Sequence, residues 1–281
     1  MSQRAVGKAQ LEPGQVLQTA NGKAEMLLTP GVYVRIDDNS SVRMVSPSLT
    51  NTVVAIDSGR ADVEVDQLYK QNHIVIDQNG GQTLLLNGGV YEFNASQHTM
   101  QVFDGKAAVF EGGPQSSMSA NEPTALSNGK PVTVKEGHEL ALNSGPSKPA
   151  SFDKKQQETG DELYNWSSLR SEYLGDANIN LGYAYGSAPG FYPGWYWDAG
   201  LYGYTWLPGG GPFFSPFGFG FYSPAYLYGG GPVYGRYGYG YRSGLAYGGN
   251  YERGAVAMHS NVAGGFGGGG FHGGGGGGGR R

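Results

Sequence analysis

The chain of 281 residues contains no cysteine. That absence excludes disulfides, thiolate metal sites, redox pairs and cysteine nucleophiles together, and it leaves the compartment open. No run of about eighteen apolar residues occurs, so nothing reads as a membrane-crossing helix. The polar start, Met1 to Gln10, lacks the apolar stretch of an export signal, so either the protein is cytosolic or its signal lies upstream of Met1. Charge is sparse, at 15% of residues, and the formal net charge is -4. From Tyr183 onward there are five Arg, no Lys and two acids, a local +3, which leaves -7 for the front part. An acidic front part offers no phosphate-binding surface, because nucleic-acid affinity rests on Lys and Arg displacing counterions.

What is abundant is glycine, at 51 positions, most of them in the last third. Glycine loses the most backbone entropy on ordering and adds no side chain to a core, so the packed part must lie earlier. From about Leu11 to Leu142 the pattern has period two: Val32, Val34 and Ile36 alternate with Tyr33, Arg35 and Asp37, and Ala61, Val63 and Val65 with Asp62, Glu64 and Asp66. Further strand-like runs cover 24–28, 53–56, 73–76, 83–86, 90–93, 100–103, 106–110, 132–134 and 139–142. Turn signals such as Pro30-Gly31, Asp104-Gly105 and Glu136-Gly137 separate them, which makes the module all-β. Periodicity alone leaves sandwich, barrel and solenoid open.

A polar linker spans 144–160, and an amphipathic helix is predicted over 161–178 with Asp161 as its N-cap. Leu163, Trp166, Arg170 and Tyr173 are its predicted docking residues on the β-module, and Trp166 and Arg170 are also spaced for a cation–π contact. Residues 183–263 form a Gly/Tyr/Trp/Pro-rich low-complexity region, expected to be largely irregular, and 264–281 a flexible poly-Gly tail. Its aromatic groups, Trp195, Tyr196, Trp197, Trp206, Phe213 and Phe214, are the candidate interaction residues. They suit self-association, contact with a protein partner, a glycan or a membrane surface, or a spacer.

Asp62, Glu64 and Asp66 would project from one strand face about 7 Å apart, a row that could hold Ca²⁺, though a solvated strand face is the expected reading. Asp37-Asp38-Asn39-Ser40 reads as a polar turn. His73, His98, His138, His259 and His272 lack metal-ligand spacing and are expected at loop or surface positions. No nucleophile elbow or phosphate loop appears in a suitable context, so no catalytic residue, cofactor or metal is assigned and the protein is expected not to be an enzyme. Arg236, Arg242, Arg253, Arg280 and Arg281 among tyrosines leave single-stranded nucleic acid as a weaker option, and a small-molecule substrate is not expected.

Residues 6–143 resemble the FecR domain. The resemblance is carried by Gly14 to Thr19, Ala24 to Gly31, Val32 to Ile36 followed by Asn39 to Val42, Gly59 to Val65, Gly89 to Phe93 and Val102 to Ala107. It implies a twisted β-solenoid-like architecture and a periplasmic, outer-membrane-associated or secreted location. The helix and aromatic tail are similar to those of stand-alone FecR-domain proteins. The expected function is therefore a cell-envelope structural or interaction protein with an associating tail. The alternative is an extracytoplasmic sensing protein of the FecR type, acting in sigma/anti-sigma signalling.

Overall fold

The computed structural model describes residues 9–78, 81–111, 130–142, 148–185 and 191–233. In chain order the strands are β1 (Val16–Gln18), β2 (Ala24–Thr29), β3 (Val32–Ile36), β4 (Ser41–Ser48), β5 (Asn51–Ser58), β6 (Arg60–Val65) and β7 (His73–Gln78). They continue with β8 (Gly81–Leu85), β9 (Gly89–Asn94), β10 (Thr99–Asp104), β11 (Lys106–Glu111), β12 (Val132–Lys135), β13 (His138–Ala141) and β14 (Ala150–Ser151). Helices α1 (Lys154–Gly160) and α2 (Glu162–Tyr185) follow. Beyond them come β15 (Gly194–Asp198), β16 (Gly203–Leu207), β17 (Phe213–Phe214), β18 (Gly220–Phe221) and α3 (Pro224–Tyr228).

The first fourteen strands form two open seven-stranded sheets, ordered β1-β4-β5-β7-β8-β11-β12 and β14-β13-β10-β9-β6-β3-β2. The chain passes between them in singles or pairs all the way from β1 to β14, a winding that matches the expected all-β, solenoid-like module. The pairing of β5 with β7 is parallel, from Asn51↔His73 to Ile56↔Gln78, because the chain visits the other sheet as β6 between them. Between the sheets lie Val32, Val34, Ile36, Val54, Ile56, Val63, Ile74, Ile76, Tyr91 and Phe93, the inward members of each alternation. Gly31, at φ +74, closes the tight turn from β2 to β3.

Two expectations change at the C-terminal side. The linker 144–160 contains α1, started by Asp153, whose side chain accepts from the amide of Gln156. The helix predicted over 161–178 runs to Tyr185. Asp161 caps it, accepting from the Tyr164 amide at 2.9 Å. The helix continues past Gly175 and Gly182 because both face packed neighbours; a Cβ on Gly182 would stand 2.5 Å from Leu227 Cδ1.

Within the region expected to be largely irregular, residues 191–233 form two hairpins and α3. Their backbones are fixed by cross-strand pairs such as Trp195↔Trp206 and Phe213↔Phe221 and by docking on α2. Aromatic pairing compensates for the glycine content there. The tail from 234 onward, with its five arginines, His259 and His272, lies outside the described residues.

Candidate interaction surface

The outer face of the second sheet is where the sequence pattern misleads. The outward residues of β3, β6 and β9 are mostly polar, with Tyr33 and Val90 among them, yet Arg35, Asp62 and Glu64 have no exposed surface and Glu92 is buried as well. The row Asp62, Glu64, Asp66 is therefore not a solvated face: α2 lies across it. Ser167 donates its hydroxyl to Asp62 Oδ2 at 2.7 Å and Ser171 to Glu64 Oε1 at 2.7 Å.

Arg35 donates to Glu25 at 3.0 Å and to Glu64, and Arg170 of α2 reaches Glu25 at 2.7 Å. At the start of α2, Arg60 joins Asp37 at 2.9 Å and Asp161 at 2.6 Å, while Lys23 bridges Asp37 and Glu162. No group of three or more His, Asp or Glu among the described residues is arranged to hold a metal ion.

Charge in this layer is unevenly compensated, and the ionisation follows. Burial, with Glu92 and Asp161 adding repulsion, pushes the Asp62 carboxyl well above the carboxylate range. Burial and the neighbouring Glu64 do the same to Asp66. Glu92 is pushed up to about 7, by burial first and then by Asp161 and Asp37, against the pull of Arg60. Glu25 goes the other way: burial opposes its charge, but Arg35 and Arg170 outweigh it and hold the carboxyl below its ordinary value.

The helix seam facing this layer is small and polar: Leu163, Ser167, Ser171, Leu174, Asn178 and Gly182 are buried at spacings of three and four. Of the predicted docking residues, Leu163 is buried, while Trp166, Arg170 and Tyr173 are half-buried along the flank. Arg170 directs its guanidinium to Glu25. Sequence reading missed Ser167, Ser171 and Asn178, because hydropathy scores them as outward-facing. Their spacing with Leu163 and Leu174 was the available signal.

Asn178 holds the aromatic hairpins. Its Nδ2 donates to the carbonyls of Trp206 at 2.8 Å and Tyr222 at 3.2 Å, and its Oδ1 accepts from the Tyr222 amide at 2.7 Å. Thr205 adds a bond to the Leu174 carbonyl at 2.8 Å. The alternation of β16 therefore turns Thr205 and Leu207, both buried, to one face and Tyr204 and Trp206 to the other, where Trp206 packs with Trp195 against Tyr33, Leu174, Phe213 and Phe221.

On that second face, Trp195 pairs with Trp206 at 5.3 Å between ring centroids, and Trp197 with Tyr204 at 5.2 Å and Tyr202 at 5.7 Å. Trp195 also meets Tyr33 edge-on at 6.1 Å, which anchors the hairpin to the sheet. Trp197 is 38% and Tyr202 72% exposed. Among the other candidate interaction residues, Tyr196 packs against Tyr185 and Phe191, Phe213 is buried and stacked on Phe221, and Phe214 is exposed.

Beside Trp206 lies a groove of about 410 Å³, walled by Gln67 and Tyr69 of the β6–β7 loop, Pro193, Pro208 and the glycines 209–211. His73 is exposed and His98 and His138 are partly so; Asp38 and Asn39 form an exposed turn, whereas Asp37 belongs to the ion network.

No known protein family matches the chain, and no curated protein matches it. Among solved structures, two crystal structures of a proposed anti-sigma factor from Parabacteroides distasonis ATCC 8503, at 2.50 Å and 1.65 Å, are similar to it. Each has 15% sequence identity and a TM-score of 0.39 over 52% of this chain. The matched part spans 62% and 63% of those chains, under two thirds of their length.

Proposed function

We propose that the protein is a non-enzymatic interaction protein of the cell envelope, in which the β-sandwich is the scaffold and the β15–β16 hairpin is the contacting part. The observation that carries this reading is the two-sidedness of the hairpin. One face is pinned to α2 through Thr205 and Leu207; the other presents Trp197 and Tyr202 to solvent on a rigid mount. Clustered exposed aromatics mark contact surfaces, and a surface held in place loses less entropy when it is covered.

The envelope location rests on the FecR-like segments of the sequence. Among the described residues no helix is long and apolar enough to cross a membrane.

The test is fractionation of cells expressing the full chain, with protease applied to intact cells. The expected result is recovery with the envelope, and loss of that association in a Trp197→Ala/Tyr202→Ala variant whose melting temperature is unchanged. Recovery of the unaltered chain in the cytosol would overturn the reading.

A second reading is an extracytoplasmic sensing protein of the FecR type. It is favoured by one observation: the FecR-like segments fall on β1, β2, β3, the start of β4, β6, β9, β10 and β11, which belong to one wound module. Co-purification of a sigma factor or an outer-membrane receptor with the full chain would favour it over the first.

A further inference from the structure

The groove beside Trp206 has a chemistry that narrows its occupant. None of its walls carries a charged side chain, so an ionic ligand would find no opposite charge there. Its volume of about 410 Å³ lies in the range of small-ligand sites.

Trp206 and Tyr69 supply flat aromatic surfaces, whose electron-rich faces attract the weakly positive C–H face of a ring. Beside them stands a polar pair. The Tyr69 hydroxyl donates to Gln67 Oε1 at 2.6 Å, which leaves the Gln67 amide to donate outward and the Tyr69 oxygen to accept. An occupant must therefore be neutral, have a flat apolar face, and both donate and accept hydrogen bonds at its edge.

A sugar ring meets all of these conditions. A proline-rich segment has the apolar face but offers only carbonyl acceptors, so the Tyr69 oxygen would find no donor. The groove stops at Trp206, because its neighbour Trp195 on the same hairpin face packs against Tyr33 and Leu174. It has room for one ring or the end of a chain of rings.

We infer that the groove formed by Tyr69, Gln67 and Trp206 binds a ring of a neutral saccharide. This rests on the interaction reading above and names the class of partner.

The test is quenching of tryptophan fluorescence in the purified full chain titrated with cellohexaose, N-acetylchitohexaose and maltohexaose, with decaproline as the peptide counterpart. The expected result is saturable quenching by at least one of the sugars. Binding should weaken about tenfold in Tyr69→Ala, the loss of one aromatic platform. Tyr69 is 48% exposed, so this variant should melt with the wild type.

Absence of quenching by all three sugars, quenching by decaproline alone, or sugar quenching indifferent to Tyr69→Ala would each overturn the inference. The envelope association of the Trp197→Ala/Tyr202→Ala variant is measured separately in cells. An interaction protein that does not bind these sugars is thus distinguishable from a protein with no such contact at all.

Discussion

Asn178 and Tyr222 exchange two hydrogen bonds across a buried interface: the Tyr222 amide donates to Asn178 Oδ1, and Asn178 Nδ2 donates back to the Tyr222 carbonyl. One side chain thereby replaces a rung of sheet for the segment after β18, and its third bond, to the Trp206 carbonyl, ties in the other hairpin. Asn178→Ala would remove three hydrogen bonds from backbone groups of the two segments. Each loss costs about 1–3 kcal/mol. The variant should lose at least about 2 kcal/mol in urea denaturation. Hydrogen exchange should accelerate across residues 194–222 while β3, β6 and β9 stay protected.

Arg35 is enclosed between Glu25 and Glu64 with no surface of its own. Burial disfavours its charge, but the two carboxylates outweigh that and raise its pKa. Arg35→Met removes the cation and strands Glu64, while Glu25 keeps Arg170, a change that costs about 3–5 kcal/mol for a buried pair. Adding Glu64→Gln to Arg35→Met should recover part of the loss. Denaturation midpoints of the two variants check this, and a double variant no more stable than Arg35→Met would contradict the account.

Stability should depend on pH through Glu92. Its ordinary pKa is 4.5 and its folded value is about 7. Between those values the unfolded chain has released the proton and the folded one keeps it, so stability falls as pH rises through the window and levels off above about 7. Asp62 and Asp66, also raised, act in the same direction. Glu25 and Asp37 are lowered and act oppositely, with stability lost as pH falls below the ordinary carboxylate range. Glu92→Gln should flatten the decline between pH 5 and 8 by up to about 3 kcal/mol. Urea midpoints across that range measure it.

Gly59 turns the chain from β5 into β6 at φ +76, and a Cβ there would sit 2.6 Å from the Ser40 Cα. Both the left-handed backbone and the contact oppose any side chain. Gly59→Ala should cost roughly 2 kcal/mol, a drop of about 4–8 °C in melting temperature by calorimetry.

Eleven of the fourteen strands of the module, all but β1, β4 and β14, were legible because each carries an apolar face at period two, as in Val32-Tyr33-Val34-Arg35-Ile36. Strand β4 was not, since its apolar positions shift at an irregularity between Met44 and Ser46 and it ends in Ser46-Pro47-Ser48. The alternation located Tyr33, Arg35, Asp62 and Glu64 on the outward face but carried no information on what covers that face. The cover is itself polar, with Ser167, Ser171 and Asn178 matching carboxylates and carbonyls, so neither side shows in hydropathy. The aromatic residues of 195–214 were identifiable as a group. Which of them pack inward depends on strand register, and glycine-rich spacing hides register.

The contacts that cover the outer sheet face join residues far apart in synthesis: Arg170 meets Glu25 across 145 positions, and Ser171 meets Glu64 across 107. A ribosome adding about 5–20 residues per second takes several seconds to pass from Ser151 at the end of the sandwich to Tyr222. During that interval strands already able to pair would leave their second face wet. Much of that face is arginine and carboxylate, with Leu27, Tyr33 and Val90 as its apolar members, so it carries less adhesive surface than a wholly apolar face would. The charge buried between sheet and helix is thus also the charge that a half-made chain would show to water before its cover is translated.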